Sequence, residues 1–132
     1  MSENGVPAEV RERIESDPYC RTLGIELRSL EPGAATTALA VTEELLNFHG
    51  TPHGGAVYSL ADAAFAAASN SRGEAAVALE TNVSYLTAVD AGTELEARAT
   101  ETHRTRRTAE YEVVVTAAGE RVATFRGRVY RP

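Results

Sequence analysis

The stretch HGGAVYSLADAAFAAASNSRG, residues 53–73, decides how the rest of the chain is read. From Ala56 to Ser71 it is rich in Ala, with Val, Leu, Tyr and Phe, and apolar residues fall on nearly every face of a 3.6-residue period. That pattern marks a helix enclosed on most sides. Gly73 offers it a C-terminal stop. One residue breaks the pattern: Asp62, a carboxylate near the middle of a helix made for burial.

The flanking sequence predicts what does the enclosing. Residues 1–6 read as a loose tail, and Pro7 opens a short helix within 7–17. Leu23, Ile25 and Leu27 alternate with polar or small residues as a strand. Glu31-Pro32-Gly33 is a turn, and Ala35 to Val41 completes a hairpin. Glu43 to Asn47 forms a short helical turn before the loop NFHGTPHGG. Beyond the long helix, AVALETNVSYL, ELEARATETH, AEYEVVVTA and RVATFRGRVY read as four strands. Their turns are Asp90-Ala91-Gly92, the HRTRRT stretch from His103 to Thr108, and Ala118-Gly119-Glu120. No repeat or linker divides residues 1–132, which predicts one domain. Short connections favour antiparallel pairing. The economical solution is α+β: a curved antiparallel sheet of five to six strands wrapped around one long central helix, the hotdog arrangement. Such a sheet leaves an edge strand open, and pairing of edges between two copies removes that liability, which predicts a homo-oligomer, a dimer at least.

Composition narrows the function classes. The chain has 132 residues, 43% hydrophobic and 24% charged, enough for a real core. A net charge of −6 argues against nucleic acid as the main partner. All 13 basic residues are Arg. The single cysteine, Cys20, cannot form an intramolecular disulfide and reads as a packing residue, which fits a reducing cytoplasm. The opening MSENGVPAEVRERIESD has no basic start followed by an apolar run, so no signal peptide is expected. No stretch approaches the roughly 20 apolar residues of a membrane span. A cytoplasmic protein with no membrane partner is expected.

The chemistry concentrates around the start of the long helix. Gly54 and Gly55 stand at a loop-to-helix junction, where the first amides lack internal partners and point out with the positive end of the helix dipole. Such amides hold an anion, or an oxygen that becomes one during reaction; alternatively the glycines only make a tight turn. Asp62 lies eight residues beyond Gly54, about 12 Å along a helix. The two therefore do not reach one substrate atom within a single chain. If two chains pack these helices antiparallel, Asp62 of one faces Gly54 of the other, which makes a composite site at a dimer interface. The competing reading is a carboxylate on a thin exposed stripe with Ser59, Ser69 and Asn70. Asn47, His49 and His53 precede the helix. Asn47 offers donors and an acceptor for a water or a carbonyl, and His53 is a candidate base, donor or loop organiser. Two loop histidines without a carboxylate partner predict no metal site. Arg104, Arg106 and Arg107 form one basic cluster, and Arg126, Arg128 and Arg131 another. Each reads as a solvated surface or as a landing site for phosphates of a ligand.

Asn47, His53-Gly54-Gly55, Leu60-Ala61-Asp62 and the AAFAAASN run from Ala63 to Asn70 together resemble the PaaI-type hotdog acyl-CoA thioesterases, the phenylacetate-pathway branch of the hotdog superfamily. Leu23-Gly24-Ile25, Gly73, Asn82, Tyr85-Leu86, Gly92, Tyr111 and the closing VATFRGRVYR extend the resemblance from Tyr19 to Arg131. The resemblance implies that Asp62 is the catalytic carboxylate, as nucleophile or as base for water. It implies that the Gly54 amide, with Gly55, polarises a thioester carbonyl, and that His53 and Asn47 position thioester and water. The site would lie between two subunits of a dimer, within a tetramer of two dimers, with coenzyme A phosphates near Arg104, Arg106 and Arg107. The implied reaction is hydrolysis of an aryl-acetyl-CoA or medium-chain acyl-CoA; coenzyme A is part of the substrate and no separate cofactor is required. The alternative is a non-catalytic hotdog module that binds acyl-CoA or lipid. A hydratase would need a His within the helix, and none lies between Gly54 and Asn70. Two positions depart from the family pattern: Ala88 stands where a proline commonly follows the Tyr-Leu pair, and HRTRRT replaces a loop that usually contains glycine.

Overall fold

The computed structural model describes residues 2–3 and 5–132. Its centre is helix α3, Gly54–Ser69. Its 16 residues span about 24 Å. Alanine is the strongest helix former, and its small side chain lets sheet residues approach the axis closely. Leu60, Ala61, Ala64 and Ala68 are completely enclosed.

Six strands wrap this helix: β3 (Glu26–Glu31), β4 (Ala34–Ala40), β5 (Val77–Tyr85), β6 (Glu94–Arg104), β7 (Thr108–Ala117) and β8 (Glu120–Tyr130). They form one sheet in the order β3-β4-β6-β7-β8-β5. Every neighbouring pair is antiparallel. Helix α3 contacts all six strands, so the sheet curls around it. This is the α+β hotdog arrangement expected from the sequence. Alternation does the sorting. In β6 and β7, Leu95, Ala97, Ala99, Tyr111, Val113 and Val115 face the helix and are buried, while Glu94, Glu96 and Arg98 face outward. Gly127 in β8 is a packing requirement: a Cβ there would lie 2.6 Å from the Phe65 ring.

The N-terminal region differs from the sequence expectation in two ways. Residues 1–6 read as a loose tail. Met1 and Asn4 lie outside the described residues, but Ser2–Glu3 (β1) pairs antiparallel with Val6–Pro7 (β2). The Val6 side chain is 1% exposed and joins the core together with Val10 of α1, Ala8–Glu15. The second difference is a helix, α2, over Pro18–Leu23, where the alternating pattern has Leu23 begin a strand. The reason is end chemistry. Asp17 accepts from the Cys20 amide at 3.0 Å, Pro18 takes the first turn, and Gly24 closes the helix at φ 85°. Leu23 is therefore helical, and β3 begins at Glu26.

Candidate active site

The loop before α3 is built around Asn47. Its Oδ1 accepts from the His49 amide at 2.9 Å and from the Thr51 amide and hydroxyl, each at 3.2 Å. The Asn47 amide donates to the Thr51 carbonyl at 2.8 Å, and Leu46 bridges to Pro52. The carbonyl end of Asn47 is thus committed to the loop. Its NH2 has no partner among the described residues. The His49 side chain stands outside this knot, exposed and against the Phe48 ring.

His53 caps α3. Its amide donates to the Leu45 carbonyl at 2.8 Å, and its Nδ1 accepts from the Gly55 amide at 2.8 Å. A neutral imidazole that accepts at Nδ1 carries its proton on Nε2, so the ring presents a donor to the outside. Gly55 must be glycine for this cap, because a Cβ would come within 2.9 Å of His53 Nδ1. The carbonyl of the same Gly54–Gly55 peptide accepts from the Tyr85 hydroxyl at 2.9 Å. One peptide unit is therefore gripped at both ends. The Gly55 amide is consumed by the cap, and the Gly54 amide, at the first helical position, has no acceptor among the described residues. The two glycines thus play different parts, a distinction that their identical chemistry hides in the sequence.

Asp62 lies two turns further on. It is half-buried, and no hydrogen bond or ion pair reaches its carboxylate among the described residues. Burial, and then the charge of Asp17, holds its carboxyl above the usual carboxylate range. Helix α2 lies across this face, tied by the Tyr19 hydroxyl to Ser59 Oγ at 2.9 Å. Along α3, Gly55, Ser59, Asp62 and Ala66 recur at helical spacing and stay at least partly open to solvent, whereas Ser69 is buried. Asn70 is occupied with Ala66 and Ala76. The open stripe is therefore narrow, built of small residues, and carries one charge.

Two apolar clefts flank α3. One, about 310 Å³, lies beside Gly54 and is lined by Pro52, Val57, Tyr85, Leu86, Ala88 and Val122. The other, about 520 Å³, lies between α3 and the α1–α2 segment, with Asp17, Cys20, Ala63 and Ala66 in its wall.

The structure places Asn47, His53, Gly54 and Gly55 together, and Asp62 on the same helix about 12 Å away. It does not bring the arginine cluster near Gly54 in one chain. Arg104 pairs with Glu74 at 3.5 Å, beyond the C-terminal end of α3. Arg107 donates to the Tyr130 hydroxyl at 2.9 Å, and the Arg106 side chain has no bond among the described residues. Arg131 is 6% exposed and donates to the carbonyls of Thr105, Arg106 and Thr108, so it shapes this turn from beneath. The partnership of Tyr85 with Gly54 and that of Tyr19 with Ser59 have no signal in local sequence, since each joins residues more than 30 positions apart.

Residues 49–124 match the thioesterase superfamily model. The chain is 40% identical over 118 residues to the acyl-coenzyme A thioesterase PaaI of Escherichia coli K12, covering 89% of this chain and 84% of that protein. The structure of the E. coli PaaI protein superposes with a TM-score of 0.89 at 37% identity, over 92% of this chain and 89% of that one. A variant of the phenylacetic acid degradation protein PaaI from Thermus thermophilus is 47% identical, with a TM-score of 0.85 over 88% of this chain and all of that one. A Streptococcus mutans protein solved with acetyl CoA bound is 28% identical, with a TM-score of 0.78 over 82% of this chain and 88% of that one. With its hotdog fold, its capped Gly-Gly helix start and these similarities over most of its length, the chain belongs to the thioesterase superfamily, in the PaaI-type branch of hotdog thioester hydrolases.

Proposed function

We propose that this protein hydrolyses acyl-CoA thioesters carrying an aryl-acetyl (phenylacetyl-like) or medium-chain acyl group, at sites shared between two subunits. One observation carries the reading: an unengaged donor at the Gly54 amide and an unpaired, half-buried carboxylate at Asp62 sit on one helix, too far apart to meet on the same substrate atom. Antiparallel packing of two α3 helices along the small-residue stripe brings Asp62 of each chain to Gly54 of the other. The relatives' names support an acyl-CoA substrate, and the phenylacetic acid link of the Thermus protein supports the aryl-acetyl group. A cytoplasmic tetramer of two such dimers is part of the same reading.

The chemistry follows from the groups present. The thioester oxygen rests on the partner's Gly54 amide at the positive end of α3, so negative charge developing there is stabilised. The Asp62 carboxylate either attacks the carbonyl carbon or takes a proton from the water that does. Collapse of the tetrahedral adduct expels the coenzyme A thiolate. Direct attack leaves a mixed anhydride on Asp62, which water then cleaves; the water route releases the acid in one step. The Nε2 proton of His53 and the NH2 of Asn47 are the unspent donors that position thioester and water. Arg104, Arg106 and Arg107 bind the phosphates of coenzyme A, with Arg106 the least committed of the three. The atoms balance without any further cofactor.

The test is thiol release from a panel of aryl and alkyl acyl-CoAs. Asp62→Asn is expected to cut turnover by about 10²–10⁴-fold with the fold intact by circular dichroism. Undiminished turnover in that variant would remove Asp62 from the mechanism. Tight binding without turnover by the native protein would make it an acyl-CoA-binding module instead. A single turnover in ¹⁸O-water separates the two chemical routes: label in the Asp62 carboxylate marks the anhydride.

A further inference from the structure

Asp62 shares its face of α3 with a second carboxylate. The first turn of α2 lies across residues 59–66. The Tyr19 hydroxyl and Ser59 Oγ share a hydrogen bond at 2.9 Å, one turn before Asp62, and Asp17 and Cys20 stand in one cleft wall with Ala63 and Ala66, just after it. Positions 59, 62 and 66 fall on one helical face, so these contacts bracket Asp62 from both sides. Asp17 is exposed and anchored: its Oδ1 accepts from the Cys20 amide at 3.0 Å, which caps α2 and fixes where the carboxylate stands.

No cation separates the two. The chain has 13 Arg, yet every ion pair among the described residues joins groups other than Asp17 and Asp62. Helix α1 brings Arg13 and Glu15 to the same cleft wall, and the strands bring Leu27 and Thr37, which carry no charge. On α3 itself the Tyr58 hydroxyl is engaged with Thr81 at 2.5 Å. Cys20 lies within the field of both aspartates: burial, and then Asp17, pushes its thiol up to about 11, with Asp62 adding to the effect, so it stays neutral. Two like charges on one face without a counter-ion are unfavourable for the fold. Such arrangements concentrate at reacting groups. An arginine beside Asp62 would stabilise its carboxylate and so weaken it as a base or nucleophile. A fixed negative charge does the opposite, because a carboxylate that holds its proton more tightly is the stronger base.

We propose that Asp17 is a positioning residue for the reaction: its carboxylate, fixed by the α2 cap over the face that carries Asp62, keeps the reacting carboxylate unpaired and strengthens it as base or nucleophile. The proposal rests on the thioesterase reading and on Asp62 as the reacting group. It gives α2, clasped to α3 by Tyr19 and Ser59, a part in the chemistry without any contact with substrate.

The test replaces Asp17 by Asn and by Ser. Both are good N-caps, so the charge is lost and the helix end is kept. With phenylacetyl-CoA as substrate, the acid limb of the kcat profile is expected to move to lower pH in both variants. At one fixed pH on that limb, the fraction of plateau rate retained should exceed the native fraction by about twofold or more. KM is expected to stay within about twofold. Glu15→Gln removes a charge of the same sign from the same cleft wall and should leave the limb in place. An unmoved limb in both Asp17 variants would reduce Asp17 to a helix cap and overturn the proposal, while leaving the thioesterase reading intact. An equal movement in Glu15→Gln would overturn it as well, by assigning the effect to net charge. If the native protein turns over no acyl-CoA, the thioesterase reading fails separately. The Asp62 carboxyl carbon, followed by ¹³C NMR, must then still titrate at lower pH in Asp17→Asn than in the native protein, and identical titrations refute the proposal.

Discussion

At the scale of single residues, the site consists of groups with and without partners. Tyr85 donates to the Gly54 carbonyl and His53 accepts from the Gly55 amide, so together they fix the plane of one peptide and with it the direction of the helix start. Tyr85→Phe keeps the ring and releases that carbonyl. It is expected to lower kcat by roughly 10-fold with little change in KM. That is less than the 10²–10³ typical for loss of an oxyanion donor itself; an equal change in KM would make Tyr85 a substrate contact instead. Asp62 shows the cost of an unpartnered carboxylate. Its folded pKa lies above the ordinary value because of burial and then Asp17. The folded state therefore binds the proton more tightly than the unfolded state. The stability linked to this group is complete below the ordinary carboxylate pKa and is lost as pH rises through the raised value. Asp62→Asn should accordingly raise Tm at pH 7, and the two proteins should converge below about pH 4. The role proposed for Asp62 has the opposite requirement, since only the carboxylate form attacks or accepts a proton. The acid limb of the kcat profile is expected above the pH at which an exposed aspartate would titrate.

At the scale of elements, legibility tracks the length of the pattern. Helix α3 and strands β6, β7 and β8 run 10–16 residues each. Over that length the 3.6- and 2-residue periods are unmistakable. Helix α2 has six residues, too few for a period, and only its Asp-Pro start and Gly24 end announce it. Val6 reads as tail because a lone valine has no pattern; its burial comes from a two-residue pairing and from Val10. Within the site, the Gly-Gly start and the misplaced Asp62 are legible in the sequence, as is the separation on which the proposal of a two-chain site rests. Which glycine amide stays free is decided by the placement of the His53 ring, and the Tyr85 contact by the pairing of β5 with β8, so neither can be read locally. The fit of α3 to the sheet supplies its own prediction. Gly127→Ala places a methyl group 2.6 Å from the Phe65 ring, in a core already full. The expected cost is about 1–3 kcal/mol in urea unfolding. A neutral result would mean that the Phe65 ring has room to withdraw.

At the scale of the whole molecule, the proposed sharing of the site between two chains admits a test that uses two dead proteins. Gly54→Pro removes the amide donor while suiting the first helical position, and His53 already has the extended conformation, ψ 135°, that precedes proline. Asp62→Asn removes the carboxylate. Each alone is expected to be inactive. After mixing and subunit exchange, half the dimers carry one chain of each kind, and each of those has one intact site. Activity should return to about one quarter of native in a two-fold symmetric dimer. No recovery despite demonstrated exchange would place both groups in one chain. At one edge of the sheet, β5 leaves Val77, Leu79 and Tyr85 more than half exposed, and Leu86 just beyond it likewise. The position of β5 also governs the order in which the chain can fold. Its one partner in the sheet is β8, which is synthesised after β6 and β7. During translation the earlier strands can close onto α3, but β5 must wait, its hydrogen-bonding groups unpaired, until residues 120–130 have emerged. The Gly54 peptide waits with it, because Tyr85 belongs to that strand. A nascent chain interrupted before β8 therefore exposes an unpaired apolar strand and lacks an ordered helix start. Chaperone dependence should accordingly peak in that interval and end when the strand is covered.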